Sequence, residues 1–245
     1  MSTQAPAAPS LVELIARGVL DAELAALVWL LVGGGVPLVV AAPQERLGAA
    51  AELLRGVMAS VRPDADEAGI VEPLTPLRAR RVVRGTRPGG IIAATSLEEA
   101  YASLGAVGVG LSADELTFLG CVLVLGPTAA AGGGSRGRLR VVAAHYVRPL
   151  ARDAHGHPQR LGPAVLATWD ATDGHYEHFA WGVLPEIASR LGVRAGDLEA
   201  DLHHRRDDLG GLAKAGVTRL DEVRRLVAGY QVRYGGAHGS HEAPH

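Results

Sequence analysis

The chain has 245 residues, a mass of 25.4 kDa, 48% hydrophobic residues and a formal net charge of −2. This is enough to bury one α/β core, and the balanced charge excludes whole-molecule attraction to nucleic acid or an anionic membrane surface. A lone cysteine, Cys121 in the apolar run 121–125, excludes a disulfide framework and reads as a buried core thiol.

Residues 1–10 carry no basic or apolar leader pattern and are expected to be disordered. Ser10 and Glu13 form a capping box for a short helix over 11–17, stopped by Gly18. A second helix is expected over 21–32, where Leu24, Leu27, Val28 and Leu31 follow helical spacing. From 24 to 46 the only charge before Arg46 is Glu45, a run long enough to suggest a membrane span. Gly33, Gly34, Gly35 and Pro37 cut it into a helix and a strand over 36–41, each too short to cross a bilayer.

Strand, loop and helix N-terminus then follow in the layout of a phosphate-binding loop, where backbone N–H groups and the helix dipole hold an anion. The chemistry requires G-x-x-x-x-G-K-[ST]. Aligned on Pro43 and Gln44, the four fixed positions are Ala42, Leu47, Gly48 and Ala49, so the glycines, the lysine and the hydroxyl are all absent there. The single lysine of the chain, Lys214, is remote in sequence. The helix after this loop is expected to end near Ser60 or Pro63.

Residues 65–89 contain Pro73, Pro76 and Pro88, acids at Glu67 and Glu72, and arginines at 78, 80, 81, 84 and 87. At most one short strand, near Val82 and Val83, is expected. The arginine cluster Arg78–Arg87 reads as a solvated loop compensated by local acids; the alternative is a phosphate or acidic-partner site. A strand over 90–95, a helix over 96–104 boxed by Ser96 and Glu99, and a short helix over 112–119 follow. Strands over 121–125 and 138–146 suit a hairpin across a Gly/Ala loop. After a polar loop over 151–163, strands over 165–169 and 175–179 turn around Asp173 and Gly174. The remainder reads as helices over 183–191, 196–215 and 219–234, with a flexible His-containing tail over 235–245.

The histidines make no metal set by spacing. His175 and His178 fall on opposite faces of a strand, His203 and His204 diverge on a helix, and His155 and His157 flank Gly156 in a loop. No G-x-S-x-G elbow is present. Trp169, Asp170 and Phe179 read as hairpin packing.

Three segments together resemble the secretion ATPase family, the motors of type II and type IV secretion, type IV pili and archaella. Residues 14–43 are similar to the helix and strand leading into that family's phosphate loop. Residues 90–100, G-I-I-A-A-T-S-L-E-E-A, resemble its histidine-box segment, with Ala93 at the histidine position. Residues 169–179 and the helices to Tyr230 resemble its closing hairpin and helical bundle.

The resemblance implies an α/β fold: a trimmed RecA-like, P-loop NTPase-like core over 11–150, then a β-hairpin and helical bundle over 151–234. The departures all fall on catalysis. The roughly 30 residues between the loop helix and Gly90 have room for at most one of the two strand–helix units that would carry the Asp-box and Walker B carboxylates. Phosphoryl transfer needs lysine, Mg²⁺ and a positioned water.

The expectation is therefore a cytoplasmic pseudo-ATPase with no catalytic residues and no cofactor. It would act as a protein-binding regulator or assembly subunit beside an active secretion or pilus motor or its inner-membrane platform protein, with homo-oligomerisation open. The alternatives are a hydrolysing ATPase with an unorthodox loop, using ATP and Mg²⁺, and a stand-alone nucleotide or anion sensor.

Overall fold

In the computed structural model, which describes residues 7–64, 70–106, 110–128, 138–153 and 155–234, three parallel strands start a mixed sheet. They are β1 (Leu38–Ala42), β2 (Gly89–Ala93) and β3 (Cys121–Pro127). Then come β4 (Leu139–Tyr146), a two-stranded ribbon of β5 (Ala151–Arg152) and β6 (Pro158–Gln159), and the hairpin of β7 (Ala164–Asp170) and β8 (His175–His178). The main sheet has the order β2–β1–β3–β4–β7–β8, parallel as far as β3 and antiparallel after it. The expected hairpin of β3 and β4 and the turn before Gly174 (φ 70°) are present. Because β7 and β8 extend the sheet begun by β1, the boundary expected near 150 falls inside one continuous sheet.

Every residue of β1 is buried, as a parallel strand covered on both faces requires. Leu38, Val40 and Ala42 face one core, and Val39 and Ala41 face the other. The first core is covered by α1 (Leu11–Ala16), α2 (Ala22–Gly33) and α3 (Leu47–Val61), together with α7 (Leu184–Leu191), α8 (Ala195–Lys214) and α9 (Leu220–Tyr234). The second is covered by α4 (Pro76–Val83), α5 (Leu97–Leu104) and α6 (Ala113–Leu116).

The membrane-like run is explained by α2, in which every residue from Leu24 to Val32 is buried, with α1, α3 and α8 packed on it. A helix that is apolar all round belongs in a core when it is only three turns long. Among the described residues no helix is long and apolar enough to cross a membrane.

The tight approach of α1 to α3 depends on two small residues. A Cβ at Gly56 would lie 2.9 Å from Leu14 and 3.0 Å from the Pro9 carbonyl. Buried Ser60 accepts from the Leu11 N–H at 2.9 Å and donates to the Gly56 carbonyl at 2.7 Å.

Three sequence expectations are corrected. Val82 and Val83 are helical, not strand: Thr75 caps α4 by accepting from the Arg78 N–H, Pro76 takes the first turn, and Ala79 and Val82 are buried three residues apart. The polar loop over 151–163 contains the β5–β6 ribbon, closed by Asp153, which accepts from the His155 and His157 N–H groups at 2.8 and 2.9 Å. At α1, Ser10 does accept from the Glu13 N–H, but the Glu13 carboxylate pairs with Arg17 in place of a return bond.

Candidate functional site

Adjacent parallel strands whose following helices leave to opposite faces open a crevice at their carboxyl ends, the usual ligand position in an α/β sheet. β1 and β2 do this: α3, which follows β1, packs on the first core, and α5, which follows β2, on the second. Ala42 and Ala93 are paired directly across this point, and the Ala94 N–H donates to the Ala42 carbonyl at 3.0 Å. The loop and histidine-box positions singled out from the sequence are therefore neighbours in space.

The chain between them is not an open anion cradle. Gln44–Arg46 form a 3₁₀ turn in which the Arg46 N–H donates to the Pro43 carbonyl at 2.7 Å, and Leu47 already begins α3. Leu47, Gly48 and Ala49 thus lie in the first helical turn. Gly48 is exposed, and a Cβ there would meet nothing within 4 Å, so no close backbone approach demands glycine.

On the β2 side, the N-terminus of α5 is satisfied by its own side chains. Ser96 accepts from the Glu99 N–H at 3.1 Å, and Glu99 accepts from the Thr95 N–H and hydroxyl, both at 2.6 Å. The Thr95 hydroxyl and N–H hold the Glu99 carboxyl below its usual range, and backbone and Ser96 hydrogen bonds do the same for Glu98. Exposed Glu45 adds a third carboxylate against one cation, exposed Arg46. An excess of carboxylates at two helix N-termini disfavours a polyphosphate.

The 72–90 region supplies no catalytic carboxylate to this crevice. Its strand-like contact is a parallel bridge of Pro73 to Ile91, with the Leu74 N–H donating to the Ile91 carbonyl at 2.7 Å. Glu72 is paired with Arg78 at 2.8 Å; Glu67 lies outside the described residues. The arginine cluster is largely compensated: Arg80 lies 3.8 Å from Glu115 and donates to the Gly110 carbonyl, and buried Arg87 donates to the carbonyls of Gly89 and Glu72. A cavity of about 150 Å³ lies between α1 and α3, lined by Leu14, Arg17, Ala49, Glu52, Leu53 and Leu125. It is smaller than the roughly 300 Å³ at which ligand pockets begin, and Arg17 and Glu52 pair at 2.5 Å on its wall.

His178 is half-buried and reaches Asp21 at 2.8 Å, whereas His175 is exposed on the other face, as strand alternation predicts. His203 and His204 are exposed on α8. His157 pairs with Asp153 at 3.2 Å, and the tail histidines His238, His241 and His245 lie outside the described residues. Among the described residues no group of three or more His, Cys, Asp or Glu side chains could hold a metal ion.

Two features escaped the sequence reading. His145, on β4, is half-buried near Glu98; burial lowers its pKa and the Glu98 charge opposes that fall. Arg140 stacks on Trp169, 3.9 Å from the ring centroid. No local pattern marks either residue, because both acquire their neighbours through strand pairing and loop packing.

Neither a scan against protein-family models nor a search of curated proteins returns a match for this chain.

Proposed function

We propose that this chain is a catalytically degenerate relative of the secretion and pilus motor ATPases, built on a trimmed RecA-like core and acting through protein binding. The observation that carries the reading is the pairing of Ala42 with Ala93 at the carboxyl ends of β1 and β2. On the family resemblance these positions belong to the phosphate loop and the histidine box, and they adjoin in the fold although both have lost their chemistry. Glu45, Glu98 and Glu99 follow them within a few residues of chain, where Lys and Mg²⁺ would have to neutralise phosphate charge.

The partner in this reading is an active secretion or pilus motor, or its inner-membrane platform protein, met on the cytoplasmic side. Trp181 (77% exposed) and Phe179 (41% exposed) follow β8 and supply the aromatic anchors typical of protein interfaces. The chain would cap, seed or restrain motor assembly without hydrolysis.

Two assays test this together. Phosphate release from ATP with Mg²⁺ should stay at the buffer background, and a purified motor or platform protein from the same host should bind the chain, more weakly after Trp181→Ala. Magnesium-dependent release would overturn the non-catalytic reading, and absence of binding to both proteins would overturn the regulatory one.

A further inference from the structure

Arg140 is set apart from the other arginines of the sheet and its loops. Among the described residues it makes no ion pair and no hydrogen bond, and its Nε is buried without a partner. Its guanidinium packs against two surfaces. One is the Trp169 ring at 3.9 Å; the other is Gly18, where a Cβ would stand 3.5 Å from both terminal nitrogens. Gly18 has φ +70°, a conformation that L side chains adopt only with strain.

The surroundings are rigid. The Val19 carbonyl accepts from the Val141 N–H at 2.8 Å and from the Tyr176 hydroxyl at 2.9 Å, tying the α1–α2 loop to both β4 and the hairpin. Trp169 is braced edge-on by Tyr176 at 5.1 Å. Nearby carboxylates are committed elsewhere. Asp170 accepts from the Thr172 and Asp173 N–H groups, and Asp21 accepts from the Leu24 N–H and pairs with His178.

A buried donor left unsatisfied is costly, so packing alone would favour leucine or methionine in this slot. A stacked guanidinium retains its in-plane N–H fork, which matches phosphate and carboxylate oxygens. A second cation stands two residues away in the chain. Arg138 lies just before β4, and its carbonyl accepts from the Thr128 N–H at 2.9 Å, continuing the β3–β4 pairing, so alternation puts it on the same face as Arg140; it is exposed and makes no ion pair among the described residues. Arg140 pairs with Gly126, two residues beyond the Val124–Ala41 pair, and so sits at the carboxyl end of the parallel strands.

We propose that Arg140 and Arg138 form a phosphate-binding site, separate from the degenerate loop and independent of any hydrolysis. Two guanidinium charges match a phosphate dianion better than a single carboxylate. The ligand class is a phosphate group, either inorganic phosphate or the terminal phosphate of a nucleotide. The site does not depend on the family reading.

The test titrates the full chain with sodium phosphate against sodium chloride at constant ionic strength, reading tryptophan fluorescence and melting temperature. Saturable quenching and stabilisation specific to phosphate are expected. Arg140→Gln should abolish both, and Arg138→Gln should weaken binding about tenfold, the loss of one charge-assisted contact. Should Arg140→Gln fail to fold, Arg138→Gln and Arg140→Lys decide, the latter keeping the charge without the fork. ADP and AMP in parallel separate the sources: tighter binding than inorganic phosphate assigns a nucleotide, and equal or weaker binding assigns free phosphate. Equal responses to phosphate and chloride, or wild-type affinity in both glutamine variants, would overturn the site.

Discussion

Arg205 joins α8 to the rest of the helical layer, and its removal gives the sharpest stability prediction. Its Nε and a terminal nitrogen each lie 3.0 Å from an Asp201 oxygen, and its guanidinium carbon lies 4.4 Å from the Trp29 ring centroid and 4.6 Å from that of Tyr230. Tyr230 in turn donates to Asp201 and meets Trp29 edge-on at 5.2 Å, so burial and then the Asp201 hydrogen bond push its hydroxyl pKa up.

Breaking a fully buried pair costs about 3–5 kcal/mol and an exposed one about 0–1. The side chains here are 14% and 20% exposed, which discounts the loss to about 2 kcal/mol. Lost stacking adds about 1 kcal/mol, and a methionine at 205 restores about 1 by packing. Arg205→Met should therefore destabilise by about 2 kcal/mol, or about 4–8 °C in Tm for a chain of this size. The assay is urea and thermal unfolding followed by circular dichroism. Adding Asp201→Leu should recover most of the loss, since the stranded carboxylate is then gone. Unchanged stability in Arg205→Met, or further loss in the double variant, would refute the view that this pair within α8 holds the guanidinium and carboxylate that join α8 to Trp29 and Tyr230.

Other expectations follow from single contacts. Burial pulls the His178 pKa down, but the hydrogen bond and charge of Asp21, with Glu23 behind it, more than offset this, so the net shift is upward. The stabilisation is then fully present below the unfolded value near about 6.5 and is lost as pH rises through the raised folded value. The Tm difference between wild type and His178→Gln should shrink from pH 5.5 to 8.5, and a difference that widens with pH would contradict the assignment. Burial pushes the Cys121 thiol up to about 12, so a thiol reagent at pH 8 should label the native chain negligibly and the urea-unfolded chain once. Rapid native labelling would contradict the buried position. Gly89→Ala would place a Cβ 2.0 Å from the Leu38 carbonyl oxygen and should cost about 3 kcal/mol or more, whereas Gly48→Ala, in open space on a helix, should stabilise by about 0.5–1. Chemical denaturation of the two variants side by side checks both signs.

Much of the fold was legible because its signals are local. Ser96 and Ser112 cap helices, Gly174 and Gly192 take the left-handed turns, and the apolar run of β1 needs no distant partner to be read as a buried strand. The lack of phosphate-loop consensus residues after β1 was equally plain, since the absence of a lysine there is a fact of sequence. What the residues 65–89 would do was not legible. The Thr75–Pro76 start outweighs the β preference of Val82 and Val83 only when Ala79 and Val82 have a sheet face to cover.

The sequence by itself determined most of the element order, the lack of a phosphate-loop consensus after β1 and the absence of a cysteine or histidine metal pattern, because each depends on residue type and short spacing. Only the tertiary structure decided that Ala42 adjoins Ala93, that β7 and β8 complete the sheet of β1, and that Arg140 packs against Trp169 and Gly18. Those pairings join residues far apart in the chain. Strand register and loop packing create them, and neither is encoded in any one window of the sequence.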